Sequence, residues 1–240
     1  MRALALAALV LGALVACGSE KTGVEYGEEL FRDKSALSAS SMNDFACSDC
    51  HRTTAAPEGT DDRIVPGATL YGVAARQRWW GGQSISLEDA VNTCVVYFMR
   101  GQALDPTSDK ARALHEYLLS LTPPGSSTDV VPMTVVENIT AIPLGDATRG
   151  EDLYRRSCAF CHGDIHTGKG NVLQRQVLLP EVANDYDRLF PNVPHGLVVT
   201  EAVRHGRFFG IGGAMPFLTT ELMSDAELGD VLAYLGLPTS

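Results

Sequence analysis

Apolar residues recur at intervals of three and four along several segments of this chain, which is the spacing of one face of an α-helix. The last such segment also carries a helix start signal, because Ser224 can cap a helix and Glu227 stands three residues later. Little alternating, strand-like pattern occurs elsewhere. The pattern therefore predicts an all-α protein with helices in SLEDAVNTCVVYFM, DKARALHEYLLSL, LVVTEAVRHGRF and SDAELGDVLAYLGL.

One arrangement occurs twice along the chain. YGEELFRD…ACSDCH at residues 26–51 matches RGEDLYRRSCAFCH at residues 149–162, and a Ser-rich insertion lengthens the first copy. Each copy continues through a Gly- and Pro-rich stretch into two of the predicted helices. A Pro-, Ser- and Thr-rich segment without helical period separates the copies. We therefore predict two tandem helical domains, residues 20–122 and 146–240, joined by a linker at residues 123–145.

The first sixteen residues form a short apolar run that begins with one positive charge at Arg2. A charged start followed by a short apolar run and small residues is typical of an export signal, and the run is shorter than the roughly 20 residues that cross a bilayer. The stretch LVAC resembles the processing box of bacterial lipoproteins, in which the cysteine, here Cys17, is lipidated. We therefore expect residues 1–16 to be a signal peptide and Cys17 to tether the mature protein to the periplasmic or cell-surface face of a bacterial membrane.

Four of the six cysteines form two C-x-x-C-H motifs, CSDCH and CAFCH. In such a motif two thiols can form thioether bonds to the vinyl groups of a porphyrin, while the adjacent histidine reaches the iron. A zinc site would need the two pairs brought together, and a thioredoxin-like disulfide would need a βαβ pattern, which is missing. We therefore predict two covalently bound haem c groups, haem one at Cys47, Cys50 and His51, and haem two at Cys158, Cys161 and His162.

The second half of the chain resembles the class I cytochromes c. CHGDIHTGKGN looks like the loop that follows the haem site in that family, and GGAMPFLTTELMSDAELGDVLAYL looks like its axial-methionine loop and final helix. The resemblance implies a cytochrome c-like fold, used twice here, with Met215 as the sixth ligand of haem two. In such a loop Pro216 would hold the chain extended, and Gly212 and Gly213 would let the backbone approach the porphyrin.

For haem one, the residues leave the sixth ligand open between Cys94 and Met99. Aligning the final helices places Met99 opposite Met215, whereas aligning DAV at 89–91 with EAV at 201–203 places Cys94 opposite Gly206. Residues five apart on a straight helix face directions about 140° apart, so such a helix can offer only one of the two sulfurs to an iron. A buried cysteine without a ligand role is the third alternative.

Residues 85–121 resemble the thiosulfate dehydrogenases and related sulfur-oxidising cytochromes, through LEDAVNTCVVYFMRGQALDP and ARALHEYLLSL. This resemblance implies that Cys94 ligates iron and that Met99 is a packing residue. More weakly, FACSDCH and PGATLYGVAARQRWWGGQSISLEDA resemble the first domain of di-haem cytochrome c peroxidases. The Asp and Arg of that family's tryptophan motif are missing beside Trp79 and Trp80.

These features predict a membrane-tethered di-haem cytochrome that carries electrons between other redox proteins outside the cytoplasm. Nucleic acid is excluded as a partner because the formal net charge is −10 and phosphate binding needs a basic footprint. The alternative is a haem enzyme, acting either on thiosulfate, with a cation such as Arg100 near Cys94, or on peroxide, with an open iron. The other histidines are expected near the surface or around the sites rather than as ligands: His115, His166, His195 and His205.

Overall fold

The computed structural model describes residues 21–37, 45–56, 62–171, 178–209 and 215–237. The predicted signal peptide, Cys17, Gly212 and Gly213 lie outside these ranges. Within them the chain is helical, with no strand beyond one isolated bridge between Trp79 and Ser84, so the all-α prediction is confirmed. No helix in these ranges is both long and apolar enough to cross a membrane. The helices are α1 Gly23–Arg32, α2 Cys47–Cys50, α3 Leu87–Tyr97, α4 Asp109–Ser120, α5 Ala147–Ser157, α6 Ala159–His162, α7 Ala183–Leu189, α8 His195–Phe209 and α9 Asp225–Tyr234, with short 3₁₀ turns at Val73–Ala75 and Trp80–Gly82.

Polar side chains determine where the main helices begin. At α9 the hydroxyl of Ser224 accepts the backbone N–H of Glu227, and the Glu227 carboxylate accepts the backbone N–H of Ser224, as the sequence predicts. Thr22 and Glu25 form the same reciprocal pair at α1. These contacts satisfy backbone donors that have no partner within the helix. Single side-chain caps begin α3, α4 and α5, at Ser86, Ser108 and Asp146.

The glycine of the repeated motif lies at a helix crossing in each domain. α1 packs against α4, and α5 packs against α9. A Cβ atom at Gly27 would lie 2.0 Å from the carbonyl oxygen of Ala113, and one at Gly150 would lie 1.9 Å from the carbonyl oxygen of Asp230. Backbone atoms cannot swing aside as a side chain can. Only glycine therefore allows the two helices of each pair to approach this closely.

Each helix crossing is surrounded by its own hydrophobic core. The aromatic residue of each repeated motif meets a tyrosine across the crossing, with ring centroids 5.4 Å apart for Phe31 and Tyr117 and 5.5 Å apart for Tyr154 and Tyr234. The buried residues of the first core come from positions 30–118, and those of the second come from positions 142–235. Two separate cores are consistent with two domains, while the boundaries at 122 and 146 stay a prediction.

The predicted linker is extended and contacts both domains. The carbonyl oxygen of Thr128 accepts the backbone N–H of Gln77 in domain one at 3.3 Å. The backbone N–H of Thr134 donates to the carboxylate of Glu221 in domain two at 3.1 Å. Ile142 is buried in the second core. The linker is therefore fixed along its length and is not a free spacer.

The two domains also meet beside their C-x-x-C-H turns. The backbone N–H of Ile64 donates to the carbonyl oxygen of Arg156 at 2.8 Å, which joins the segment after the first motif to α5. The guanidinium of Arg63 lies 4.6 Å from the ring centroid of Phe160, which stands inside the second motif. Cys161 packs against the first core. These contacts place the two motifs next to each other.

Candidate functional site

The first C-x-x-C-H motif faces a cavity of about 350 Å³. Cys47, Cys50 and His51 all line it, and most of the remaining wall is apolar. Three parts of the chain form the wall. Domain one supplies most of it, and the linker and domain two supply the rest. The linker contributes Val131, Pro132 and Met133, and domain two contributes Pro216, Phe217 and Leu222 among others. Sequence reasoning assigned this site to domain one and did not find these residues.

His51 is oriented as a metal ligand. It directly follows α2, and its ring Nδ1 lies 2.7 Å from the carbonyl oxygen of Ala68. Nδ1 therefore carries the proton and Nε2 is left to bind a metal. Burial lowers the pKa of His51 and the charge of Arg76 lowers it further, against the opposing effect of the Ala68 carbonyl, so the ring is neutral at pH 7. A Cβ atom at Gly67 would lie 2.3 Å from Cε1 of His51, so the loop can approach this ring only with glycine there.

The pKa values of the motif cysteines differ from those of a redox-active dithiol. Burial raises the pKa of Cys47 to about 12, that of Cys158 to about 11 and that of Cys161 to about 12, and it also raises that of Cys50. Reactive C-x-x-C thiols instead have lowered pKa values, because the thiolate is the nucleophile. No disulfide joins the five cysteines within the described ranges. The raised pKa values therefore disfavour an exchanging disulfide and are compatible with thiols that attach a porphyrin.

Cys94 and Met99 both line the cavity, so the choice between them as a ligand stays a prediction. α3 ends at Tyr97, so Met99 lies beyond the helix, and the chain turns at Arg100, whose φ of 58° is in the left-handed region. The two residues differ in exposure. Met99 is 4% exposed and belongs to the first core, whereas Cys94 is partly exposed as a residue. Burial nevertheless raises the pKa of the Cys94 thiol to about 12, so both residues remain candidates for a group bound in the cavity.

A shared polar contact shows which helix positions of the two domains correspond. In domain one the side-chain oxygen of Asn92 on α3 accepts the backbone N–H of Leu104 at 2.7 Å. In domain two the guanidinium of Arg204 on α8 donates to the carbonyl oxygens of Leu218 at 3.0 Å and Met223 at 2.8 Å. Each side chain holds the segment that leads into the final helix of its domain. Asn92 and Arg204 thus have comparable roles, and the DAV–EAV alignment, which places Cys94 opposite Gly206, pairs the two positions.

Gly206 brings the Met215 backbone close to the position that corresponds to Cys94 in the alignment. A Cβ atom there would lie 2.6 Å from the carbonyl oxygen of Met215, and the φ of Gly206 is 52°. The Met215 backbone thus lies against position 206, where the backbone of α8 departs from helical geometry and which the DAV–EAV alignment places opposite Cys94. The connection is four residues shorter in domain one, since Asp109 follows Cys94 by 15 positions and Asp225 follows Gly206 by 19. Cys94 therefore lies on α3 itself, whereas Met215 lies on the chain that returns after α8.

The positive charges of two arginines at the cavity indicate whether haem c fits it. Arg76 is half-buried and donates to the carbonyl oxygen of Thr69 at 2.6 Å, and Arg78 lies on the exposed rim. Within the described ranges neither arginine forms an ion pair with a carboxylate. Unpaired cations at an apolar cavity favour an anionic guest. The two propionates of haem c meet that requirement. The residues therefore fit the group: Cys47 and Cys50 would attach it, His51 would bind its iron, and the arginines would meet its propionates.

Replacing Arg76 by leucine is expected to lower the reduction potential of haem one by on the order of tens of millivolts. A positive charge near iron disfavours the ferric state, and a propionate left without its cation favours that state further. Arg76→Lys keeps the charge and is the matched control, so it should retain most of the wild-type potential. Optical redox titration of haem one measures both variants. An unchanged or higher potential in Arg76→Leu would show that no such pairing exists.

In domain two, Cys158 and Met215 both pack, half-buried, against the second core. Cys161 of the same motif packs instead against the first core. His162 is the last residue of α6, and the hydroxyl of Tyr154 donates to the carbonyl oxygen of Gly163 at 2.8 Å and so fixes the turn that follows His162. The second motif therefore lies between the two cores, with Cys158 on the same core as Met215.

The remaining histidines and the paired tryptophans have partners that explain them. Each of the four other histidines pairs with a carboxylate, while their place outside the ligand set stays a prediction. The indole N–H groups of Trp79 and Trp80 donate to the carbonyl oxygens of Val73 and Ala90, both at 3.2 Å, and both rings line the cavity. The tryptophans therefore have a packing role. The histidine pairs are His115–Glu88, His166–Glu181, His195–Asp187 and His205–Glu201.

Comparison with known proteins gives a similar solved structure and a family match for the second half of the chain. Among solved structures, the chain is similar to thiosulfate dehydrogenase (TsdBA) from Marichromatium purpuratum in its "as isolated" form, with a TM-score of 0.43 and 21% sequence identity. That likeness covers 89% of this chain and 45% of the other, so this chain spans less than half the length of that one. No curated protein matches the chain. Residues 145–235 match the family model described as cytochrome c oxidase, cbb3-type, subunit III. With the C-x-x-C-H turn at its start, this part of the chain is a c-type cytochrome domain.

Proposed function

We propose that this protein is an exported di-haem c-type cytochrome that carries electrons between redox proteins outside the cytoplasm. The observation that carries the proposal is the pair of C-x-x-C-H turns, α2 and α6, which lie next to each other where the two domains meet. Bound haem c supplies one-electron chemistry at its iron. The chain supplies the ligands, the burial and the spacing of the two groups.

The proposed axial ligands are His51 and Cys94 for haem one and His162 and Met215 for haem two. The position of Cys94 in the cavity wall, opposite the motif that carries His51, supports the first pair, and the packing of both Cys158 and Met215 against the second core supports the second. A thiolate stabilises ferric iron, whereas a neutral thioether favours ferrous iron. The protein then has one low-potential and one high-potential centre.

Haem counting tests the proposal directly. Pyridine haemochrome analysis of the purified protein is expected to give two covalent haems per chain. Replacing both motif cysteines of one domain by alanine, Cys47 with Cys50 or Cys158 with Cys161, should leave one haem in each case. A wild-type value below two would end the di-haem proposal. Loss of both haems in only one of the double variants would show that one site depends on the other.

Attachment to a membrane through a lipidated Cys17 is the second part of the proposal. It rests on the apolar run of residues 1–16 and on LVAC, whose cysteine matches the lipidation position. Lipid chains contribute about 0.8 kcal/mol per buried CH₂, so several chains on one residue hold a protein firmly. Wild-type protein should therefore sediment with membranes, and Cys17→Ser should move to the soluble exported fraction. Equal distribution of the two would refute the tether.

A second candidate is a haem enzyme that oxidises thiosulfate, and the position of Cys94 on the cavity wall favours it. Arg76 and Arg78 could attract an anion to the same cavity. Arg100, the cation expected from the sequence, does not line the cavity. It is half-buried at a strained φ of 58°, and its Nε atom is buried without a hydrogen-bond partner.

Two steady-state assays separate the carrier from the enzymes. The carrier should show no turnover with thiosulfate plus ferricyanide or with peroxide plus a reduced cytochrome. Turnover with thiosulfate that disappears in Cys94→Ala and persists in Met99→Ala would establish the sulfur-oxidising enzyme instead. Turnover with peroxide would establish a peroxidase with an open iron.

A further inference from the structure

Residues 215–222, here called the shared segment, belong to both candidate haem sites. The segment begins at Met215, the proposed ligand of haem two, and Pro216, Phe217 and Leu222 line the cavity of haem one. We propose that the shared segment couples the two centres, so that the ligand on haem two sets the environment and potential of haem one. This inference rests on the proposed function, because it takes Met215 as an iron ligand.

On the side of domain two, the shared segment is held tightly to α8. The backbone N–H of Leu218 donates to the carbonyl oxygen of Val203 at 2.8 Å. Arg204, 2% exposed, donates to the carbonyl oxygens of Leu218 and Met223 and forms a 2.7 Å ion pair with Asp225. Breaking a buried hydrogen-bonded charge from its partners is strongly unfavourable. A displacement of Met215 therefore cannot be absorbed by loosening this anchor.

On the side of domain one, the shared segment reaches the helix that carries Cys94 through two ring contacts. Phe217 is 6% exposed, and its ring centroid lies 6.3 Å from that of Trp80. Trp80 stacks on Phe98 with a centroid separation of 6.1 Å and an interplanar angle of 16°. The backbone N–H of Phe98 donates to the carbonyl oxygen of Cys94 at 3.0 Å. Packed aromatic contacts connect the two proposed sulfur ligands along this path.

The linker fixes the outer edge of the shared segment. The backbone N–H and the hydroxyl of Thr134 both donate to the carboxylate of Glu221. Although desolvation raises the pKa of Glu221, the hydrogen bonds from Thr134 and Thr219 outweigh it and lower that pKa to about 2, so the carboxylate stays charged at neutral pH. Met133, next to Thr134, lines the haem one cavity. A shift of the shared segment therefore moves two parts of that cavity wall.

A tightly packed segment transmits displacement because close-packed side chains have few alternative arrangements. Exchanging the ligand at position 215 changes the distance from iron to backbone and so displaces Phe217 against Trp80. Linkage also makes the effect reciprocal: the oxidation state of haem one must bias the binding of Met215 to haem two by the same free energy.

The test uses the holoprotein with Met215→His, which keeps a sixth ligand on haem two, and Met215→Ala, which removes it. Redox titration followed by optical and electron paramagnetic resonance spectra resolves the two haems. We expect both variants to change haem two and also to shift haem one by at least fivefold in its equilibrium constant, ~40 mV for a one-electron couple. If haem two changes and haem one does not, the coupling is absent. If haem two is also unchanged, Met215 is not its ligand and the proposed ligation fails instead.

A double-mutant cycle identifies the shared segment as the route. Phe217→Ala removes the ring that meets Trp80, and Phe45→Ala, which removes a buried ring that lines the same cavity but is not part of this path, is the matched control. In the Phe217→Ala background, the effect of Met215→His on haem one should fall by at least half, whereas in the Phe45→Ala background it should persist. Direct Coulomb interaction between the irons does not depend on either ring. An undiminished effect in Phe217→Ala would therefore overturn the proposal.

Discussion

Replacing Cys94 by alanine is expected to raise the reduction potential of haem one by on the order of a few hundred millivolts and to change its spectrum. The reason is that a thiolate stabilises ferric iron, and axial ligands set haem potentials over a span of roughly 0.8 V. Haem two, with its own ligands in the other domain, should change far less. Redox titration monitored by electron paramagnetic resonance measures both centres in one sample.

Met99→Ala is the matched control, because Met99 also lines the cavity but has only 4% of its surface exposed. Removing a buried methionine side chain should cost ~2–5 kcal/mol of folding free energy and leave the low-spin ferric signal of haem one in place. The opposite result, in which Met99→Ala abolishes that signal and Cys94→Ala preserves it, would assign the iron to Met99. The sulfur-oxidising alternative would then lose its main support.

Replacing Gly27 by alanine is expected to destabilise domain one by ~1–3 kcal/mol or more, although alanine is the better helix former. The new Cβ atom would lie 2.0 Å from the carbonyl oxygen of Ala113, so α1 and α4 must move apart. Each kcal/mol corresponds to about 4–8 °C in the midpoint of thermal unfolding for a domain of 60–100 residues. Circular dichroism during heating measures the change.

Gly23→Ala is the control on the same helix. Its Cβ atom would meet only the carboxylate end of Glu116, which is exposed and can swing away, so stability should stay the same or rise slightly. Gly150→Ala should repeat the loss in domain two, where the Cβ atom would lie 1.9 Å from the carbonyl oxygen of Asp230. Equal unfolding midpoints for Gly27→Ala and Gly23→Ala would show that the helix crossing tolerates a side chain.

The amino-acid sequence by itself determined the features that depend on neighbouring residues. The three- and four-residue apolar spacing predicted the final helices, and Ser224 with Glu227 predicted where α9 begins, because helix faces and caps are set within one or two turns. The haem-attachment chemistry could be predicted from the sequence for the same reason, since C-x-x-C-H carries two thiols and an imidazole on one turn. The repeated glycine and aromatic residue indicated two equivalent domains, although the sequence does not show that these residues lie at helix crossings.

Only the tertiary structure decided the features that depend on residues far apart in the chain. The spacing of apolar residues predicted a helix that includes Met99. In the structure α3 ends at Tyr97, and the turn at Arg100 places Met99 in the core. Nothing local to Trp80 or Phe217 indicates that they meet, yet their contact makes domain two part of the first cavity. The physical reason is that local patterns record which face of an element is apolar, while the identity of the surface that covers it is set by packing between distant segments.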